Sequence, residues 1–137
     1  MSKIVVIAHD NFKADLLRFL KDKKSWFFGR EIVATGRTAV FLEEGELNLP
    51  LTHVKKGAEG GYLQITDMIK RGEVEIVFFF RDATILQPYH EDITSLLNAC
   101  DLNNIPTGTN QAAAELLIIG KIRMEASLSI QSKIENK

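Results

Sequence analysis

Two short loops in this chain carry the residue types that hold an anion. In ATGRT (34–38), Thr35, Gly36, Arg37 and Thr38 follow a strand-like run and precede the helix-spaced segment AVFLEEG. Threonine hydroxyls, the free N–H groups of a helix start and the Arg37 guanidinium would all face an oxyanion there. In KKGAEGG (55–61), Gly57 and its neighbours let the backbone curl around oxygen atoms, and Lys55 or Lys56 would neutralise them. Lys13, one turn into the first helical segment, adds a third cation if it points back to the same rim.

Groups able to move protons stand near these loops. His9 and Asp10 end the first apolar run, and Asp82 ends the run at 74–80. QPYHED (87–92) offers Tyr89, His90, Glu91 and Asp92 at the mouth of a helix, where Asp92 suits an N-cap and His90 a proton shuttle. Plainer uses compete at every position, because Thr and Asp cap helices and surface lysines are solvated. His53, inside a short strand, reads as packed or edge-exposed, and no His, Cys and Asp spacing suggests a metal.

The elements that must position these groups alternate. KIVVIA (3–8) and VEIVFFF (74–80) are continuous β-branched and aromatic runs, the signature of parallel strands covered on both faces. EIVATG (31–36), PLTHV (50–54) and part of NIPTGTN (104–110) are shorter strand candidates. Helical spacing places Phe12, Leu16, Leu17, Phe19 and Leu20 on one side of the first helix, and Leu63, Ile65, Met68 and Ile69 similarly on another. EDITSLLNACDLN and QAAAELLIIG complete the helices, the last stopping at Gly120. Strand and helix repeated five times imply an α/β three-layer sandwich with a five-stranded, mostly parallel sheet and ligands at the strands' carboxyl ends. After the domain at 1–120, the tail 121–137 alternates Ile122, Met124, Ala126, Leu128 and Ile130 with polar residues, the period of a half-buried strand, and is a possible subunit contact.

Composition narrows the function classes. With 137 residues, 45% hydrophobic and 26% charged, the chain is one ordinary globular domain. A net charge of -1 supplies no field for a nucleic acid or an anionic membrane, so any anion site is local. The single Cys100 has no cysteine partner and reads as core. No signal peptide or membrane-length apolar run is present, and the expected location is the cytoplasm.

Read in order, VVIAHDNFKADLLRFL, ATGRT, GAEGGYLQI, FFFRDATILQP and CDLNNIPTGTNQAAAELLI resemble the methylglyoxal synthase family over residues 3 to 119. The resemblance implies a flavodoxin-like sandwich that assembles as a homohexamer. It also implies conversion of dihydroxyacetone phosphate to methylglyoxal and inorganic phosphate without metal or organic cofactor. By that pattern a carboxylate removes a proton beside the carbonyl, a histidine polarises the oxygens, and the enediol phosphate expels phosphate. His9, Asp10, Lys13, Thr35, Thr38, Gly57, Asp82 and Asp92 match the family's site. Tyr62 stands where the family's pattern has the basic Asp, Tyr89 where it has the catalytic His, with His90 one residue on. Arg37 and Lys56 replace a Thr and a Ser, Asn98 replaces an Arg, and the family's C-terminal Arg has no match.

A tyrosine with a pKa of about 10 is a poor base at neutral pH. Losing a positioned acid or base typically costs about 10² to 10⁴ in rate. The expectation is therefore a protein that binds phosphate or a phosphorylated metabolite, with the family reaction lost or strongly reduced. The alternative is an active lyase using a relocated base such as Asp82, with His90 assisting.

Overall fold

The continuous apolar runs become the two central strands of a single parallel sheet. In the computed structural model, which describes residues 2–85 and 90–135, β1 (Lys3–Ala8) lies beside β4 (Val74–Phe80), with Ile4 opposite Ile76 and Ala8 opposite Phe80. The shorter strands flank them: β2 (Ile32–Ala34), β3 (Thr52–His53) and β5 (Thr107–Gly108). All pairings are parallel, in the order β3-β2-β1-β4-β5.

Among the described residues six α-helices flank the sheet: α1 (Lys13–Asp22), α2 (Lys24–Phe27), α3 (Gly36–Glu44), α4 (Gly61–Lys70), α5 (His90–Leu102) and α6 (Gln111–Glu135). Successive side chains of β1 point to opposite faces, as strand geometry dictates. Ile4, Val6 and Ala8 pack with Phe19, Leu42 and Ile118 on one side; Val5 and Ile7 pack with Ile65, Leu96 and Cys100 on the other. The three-layer sandwich expected from the sequence is thus formed, and Cys100 is fully buried core. The order reverses between β1 and β4, where the chain leaves the sheet in opposite directions. A crevice opens at their carboxyl ends.

Three local readings change. The tail is not a strand: α6 runs through Gly120, where a stop was expected, to Glu135. A glycine inside a helix costs about 1 kcal/mol, and side chains facing the domain offset it. Ala114 and Ile118 are buried, Lys121 Nζ lies 3.5 Å from Glu75, and Glu125 accepts from Trp26 Nε1 at 2.8 Å and from Arg30 Nη1 and Nη2 at 2.9 Å each. Those four positions recur every three or four residues, the helical period, whereas the alternation at 122–130 falls on faces turned away. Past Glu125 the helix stands exposed, with Leu128, Ile130 and Ile134 in solvent. Secondly, Asp92 is the third residue of α5, not its N-cap. Thirdly, the strand expected at 50–54 contracts to two exposed residues, where His53 Nε2 and Glu43 Oε2 are 2.8 Å apart.

Candidate functional site

At the carboxyl ends of β1 and β2 the backbone turns into α1 and α3 and leaves a cavity of about 170 Å³. One end of it is polar. Thr35 and Thr38 are buried there, the Thr35 hydroxyl donating to Thr38 Oγ1 at 3.2 Å, and Thr38 Oγ1 accepting from the Ala8 N–H at 3.3 Å. Thr35 occupies the N-cap position of α3 without a side-chain cap bond. The Gly36 N–H donates to Lys55 O and the Ala39 N–H to Thr35 O, which leaves the Arg37 and Thr38 N–H groups of the first turn without partners among the described residues. Such groups, with the helix dipole behind them, suit an oxyanion.

Lys13 reaches back as the sequence suggested. It is 7% exposed, and its ammonium donates to Ala8 O at 2.6 Å and to Asp10 Oδ1 at 2.8 Å. Arg37 Nη2 donates to the other Asp10 oxygen at 2.8 Å. The Lys13 hydrogen bond, with Arg37 assisting, holds the Asp10 carboxyl below its ordinary pKa despite some burial. Asp10 is therefore an anion fixed between two cations and a weak proton acceptor.

His9 joins the two central strands at the crevice. Its Nδ1 accepts the Asp82 N–H at 2.7 Å, and its backbone N–H donates to Phe80 O at 3.1 Å. Burial pushes its pKa below the ordinary histidine value, and Lys13 and Arg81 act in the same direction. With Nδ1 accepting, the neutral ring carries its proton on Nε2 and is a donor from that side.

The other end of the cavity is apolar, walled by Tyr62, Ile85 and Ile93. Tyr62 is 8% exposed, and its ring stacks on Phe79 with centroids 5.8 Å apart and planes 14° from parallel. Gly57 approaches the end of the Tyr62 ring so closely that a Cβ there would lie 2.5 Å from it. The loop that delivers Gly57 is closed by Gly60, whose φ of 101° favours glycine, and by Gly61, where a Cβ would lie 2.0 Å from Lys55 O.

His90, the first residue of α5, also lines the cavity, and its Nδ1 is buried with no hydrogen-bond partner among the described residues. Asp82 does not line it. Asp82 Oδ1 accepts from the Thr84 hydroxyl at 2.5 Å and the Thr84 N–H at 3.0 Å, and Oδ2 from Asn11 Nδ2 at 2.7 Å. These bonds, the Thr84 hydroxyl foremost, hold its pKa below the ordinary value. Asp92 is half-buried outside the lining, Lys56 lines an adjoining cavity, and Gly36 is the close-approach point for the Lys56 stem. Tyr89 falls outside the described residues. Sequence reasoning missed Ala58, Ile85 and Ile93; Ile93 was findable, since it follows His90 by three residues on the same helix. Among the described residues no group of three His, Cys, Asp or Glu side chains could hold a metal ion, and no helix is long and apolar enough to cross a membrane.

A parallel α/β sheet with two buried threonines and a buried lysine beside the crevice at its switch point defines a doubly wound α/β domain with its cavity at the strands' carboxyl ends. Comparison with known proteins narrows it. The model of the MGS-like domain family matches residues 15–109. The chain is 42% identical over 118 residues to the methylglyoxal synthase of Carboxydothermus hydrogenoformans, covering 86% of this chain and 97% of that one. It is 41% identical over 116 residues to the methylglyoxal synthase of Natranaerobius thermophilus, covering 85% and 96%. The crystal structure of methylglyoxal synthase from Elizabethkingia anophelis superposes with a TM-score of 0.77 at 30% identity, over 85% of this chain and 76% of that one. The chain belongs to the methylglyoxal synthase-like family.

Proposed function

We propose that this protein binds inorganic phosphate or a phosphorylated metabolite in its cradle and converts dihydroxyacetone phosphate to methylglyoxal and phosphate very slowly or not at all. Thr35, Thr38, Lys13 and the free N–H groups of α3 hold the phosphate oxygens, and the neutral His9 donates from Nε2 to an oxygen of the ligand. The observation that carries this reading is the absence, among the described residues of the cavity, of a carboxylate ready to take a proton. By the resemblance Tyr62 stands at the position of the base; Asp10 is paired with Lys13 and Arg37, and Asp82 is outside the lining with its oxygens engaged. Removing the proton beside a carbonyl needs such a group within about 2.6–3.2 Å, or through one water.

A second reading, methylglyoxal synthase activity through a relocated base, is favoured by His90, which lines the cavity and whose buried Nδ1 has no hydrogen-bond partner among the described residues. The activity for which the relatives are named points the same way. Asp82 is the weaker candidate, because it would have to release Thr84 or Asn11 before accepting a proton. A homohexamer, implied by the resemblance, and the cytoplasmic location expected from the sequence belong to both readings; sedimentation velocity measures the assembly. Isothermal titration calorimetry with phosphate and dihydroxyacetone phosphate, with methylglyoxal release followed on the same samples, separates them. Binding without turnover supports the first reading, and turnover at about 1 to 10³ per second overturns it.

A further inference from the structure

A second cavity, of about 460 Å³, adjoins the cradle and shares Asp10, Lys13 and Arg37 with it. Its remaining wall is one face of α3, Val40, Phe41 and Glu44, together with Lys56. Charge is unevenly spread along that wall. Glu44 stands two turns from Arg37, about 10 Å along the helix axis. At the opposite, amino-terminal end stand Arg37, Lys56 and the free N–H groups of the helix start. The one carboxylate there, Asp10, already accepts from Lys13 and Arg37.

The Lys56 ammonium forms no hydrogen bond or ion pair among the described residues, while its backbone carbonyl accepts from the Glu59 and Gly61 N–H groups. Its stem is nevertheless placed, because Gly36 offers no side chain: a Cβ at 36 would lie 3.1 Å from Lys56 Cγ. Arg37 commits one nitrogen, Nη2, to Asp10 and keeps its other donors. Lys56 does not line the cradle, so its charge is not matched by a phosphate bound at Thr35 and Thr38.

We infer that the ligand carries a second anionic group, a carboxylate or another phosphate, bound by Arg37 and Lys56 in the adjoining cavity while its phosphate lies in the cradle. This rests on the reading that the cradle holds phosphate. The two sites are close: Lys56 precedes Gly57 of the cradle by one residue, about 3.8 Å between Cα atoms. A three-carbon phosphate with a terminal carboxylate is long enough to reach both. The planar fork of Arg37 fits a carboxylate or phosphate edge, and Lys56 adds a point charge.

Calorimetry with inorganic phosphate, glycerol 3-phosphate and 3-phosphoglycerate tests this, since the two three-carbon probes differ in a terminal hydroxymethyl against a carboxylate. The expected result is 3-phosphoglycerate bound at least about tenfold more tightly than glycerol 3-phosphate, about 1.4 kcal/mol. In Lys56→Gln that ratio falls toward one, while affinity for inorganic phosphate stays within about twofold, the size of a solvent-screened charge effect. Phosphate binding with equal affinity for the two carbon probes overturns this inference alone. Discrimination that survives in Lys56→Gln overturns it as well. Failure of inorganic phosphate to bind overturns the cradle reading and this inference with it.

Discussion

Replacing Tyr62 by aspartate puts a carboxylate where the apolar wall of the cavity meets Gly57, and its consequences can be sized beforehand. The ring removed is 8% exposed and stacked on Phe79, so its loss resembles the deletion of a buried aromatic, about 3–5 kcal/mol. A domain of ordinary stability, about 5–15 kcal/mol, survives that loss with little to spare. Phosphate at 100 times its dissociation constant returns about 2.7 kcal/mol, which keeps the variant folded while it is handled. The carboxylate gains the low-dielectric setting that raises the pKa of a base, and a positioned base contributes about 10² to 10⁴ in rate. Tyr62→Asp is therefore expected to release methylglyoxal from dihydroxyacetone phosphate about 10²-fold faster than the parent chain, and Tyr62→Asp with Tyr89→His faster still. Methylglyoxal is quantified by derivatisation after phosphate has been removed by rapid gel filtration, and circular dichroism confirms the fold. A double variant that is folded, binds phosphate and releases methylglyoxal no faster than the parent would refute the reasoning that Tyr62 stands in the place of the base.

Three further outcomes follow from the same geometry. Lys13→Met removes the buried ammonium from the cradle; charge-assisted hydrogen bonds are worth about 1.5–3 kcal/mol, so phosphate affinity measured by calorimetry should fall about 10- to 150-fold. Gly61→Ala drives a methyl to 2.0 Å from Lys55 O, and urea unfolding should show a loss of at least about 1–3 kcal/mol with the 55–61 loop displaced. His9 is held neutral, its folded pKa below 6.5, so as the pH falls through 6.5 the unfolded chain takes up a proton that the folded chain does not. Stability should decline across that range, and the decline should be shallower in His9→Gln; the losses from Asp10 and Asp82, whose folded pKa values are lowered, appear only below about pH 4, as those carboxylates protonate.

How much of this was legible in the sequence depends on what each signal physically reports. A continuous run such as VEIVFFF is apolar at every position because both faces are covered, so β4 and its partner β1 were readable without ambiguity. The threonines and Lys13 were readable because a strand-to-helix junction fixes which residues meet the rim. Which oxygens remain free was not. Asp10 and Asp82 look alike at strand ends, yet one lines the cavity between two cations and the other is held by Asn11 and Thr84, and only side-chain directions distinguish them. The tail misled for a different reason: apolar residues at every second position satisfy a strand, while the side chains that tie α6 to the domain, Lys121 and Glu125, are charged and carried no hydrophobic signal.

The contact between Gly57 and Tyr62 also couples two positions of this site. Any side chain at 57 would meet the ring, its first carbon 2.5 Å from it, so a larger residue there requires the tyrosine to shift or to be replaced. The two positions are therefore expected to vary together rather than independently. A smaller side chain at 62, a carboxylate included, is accommodated with glycine at 57 unchanged, whereas a change at 57 draws 62 in with it.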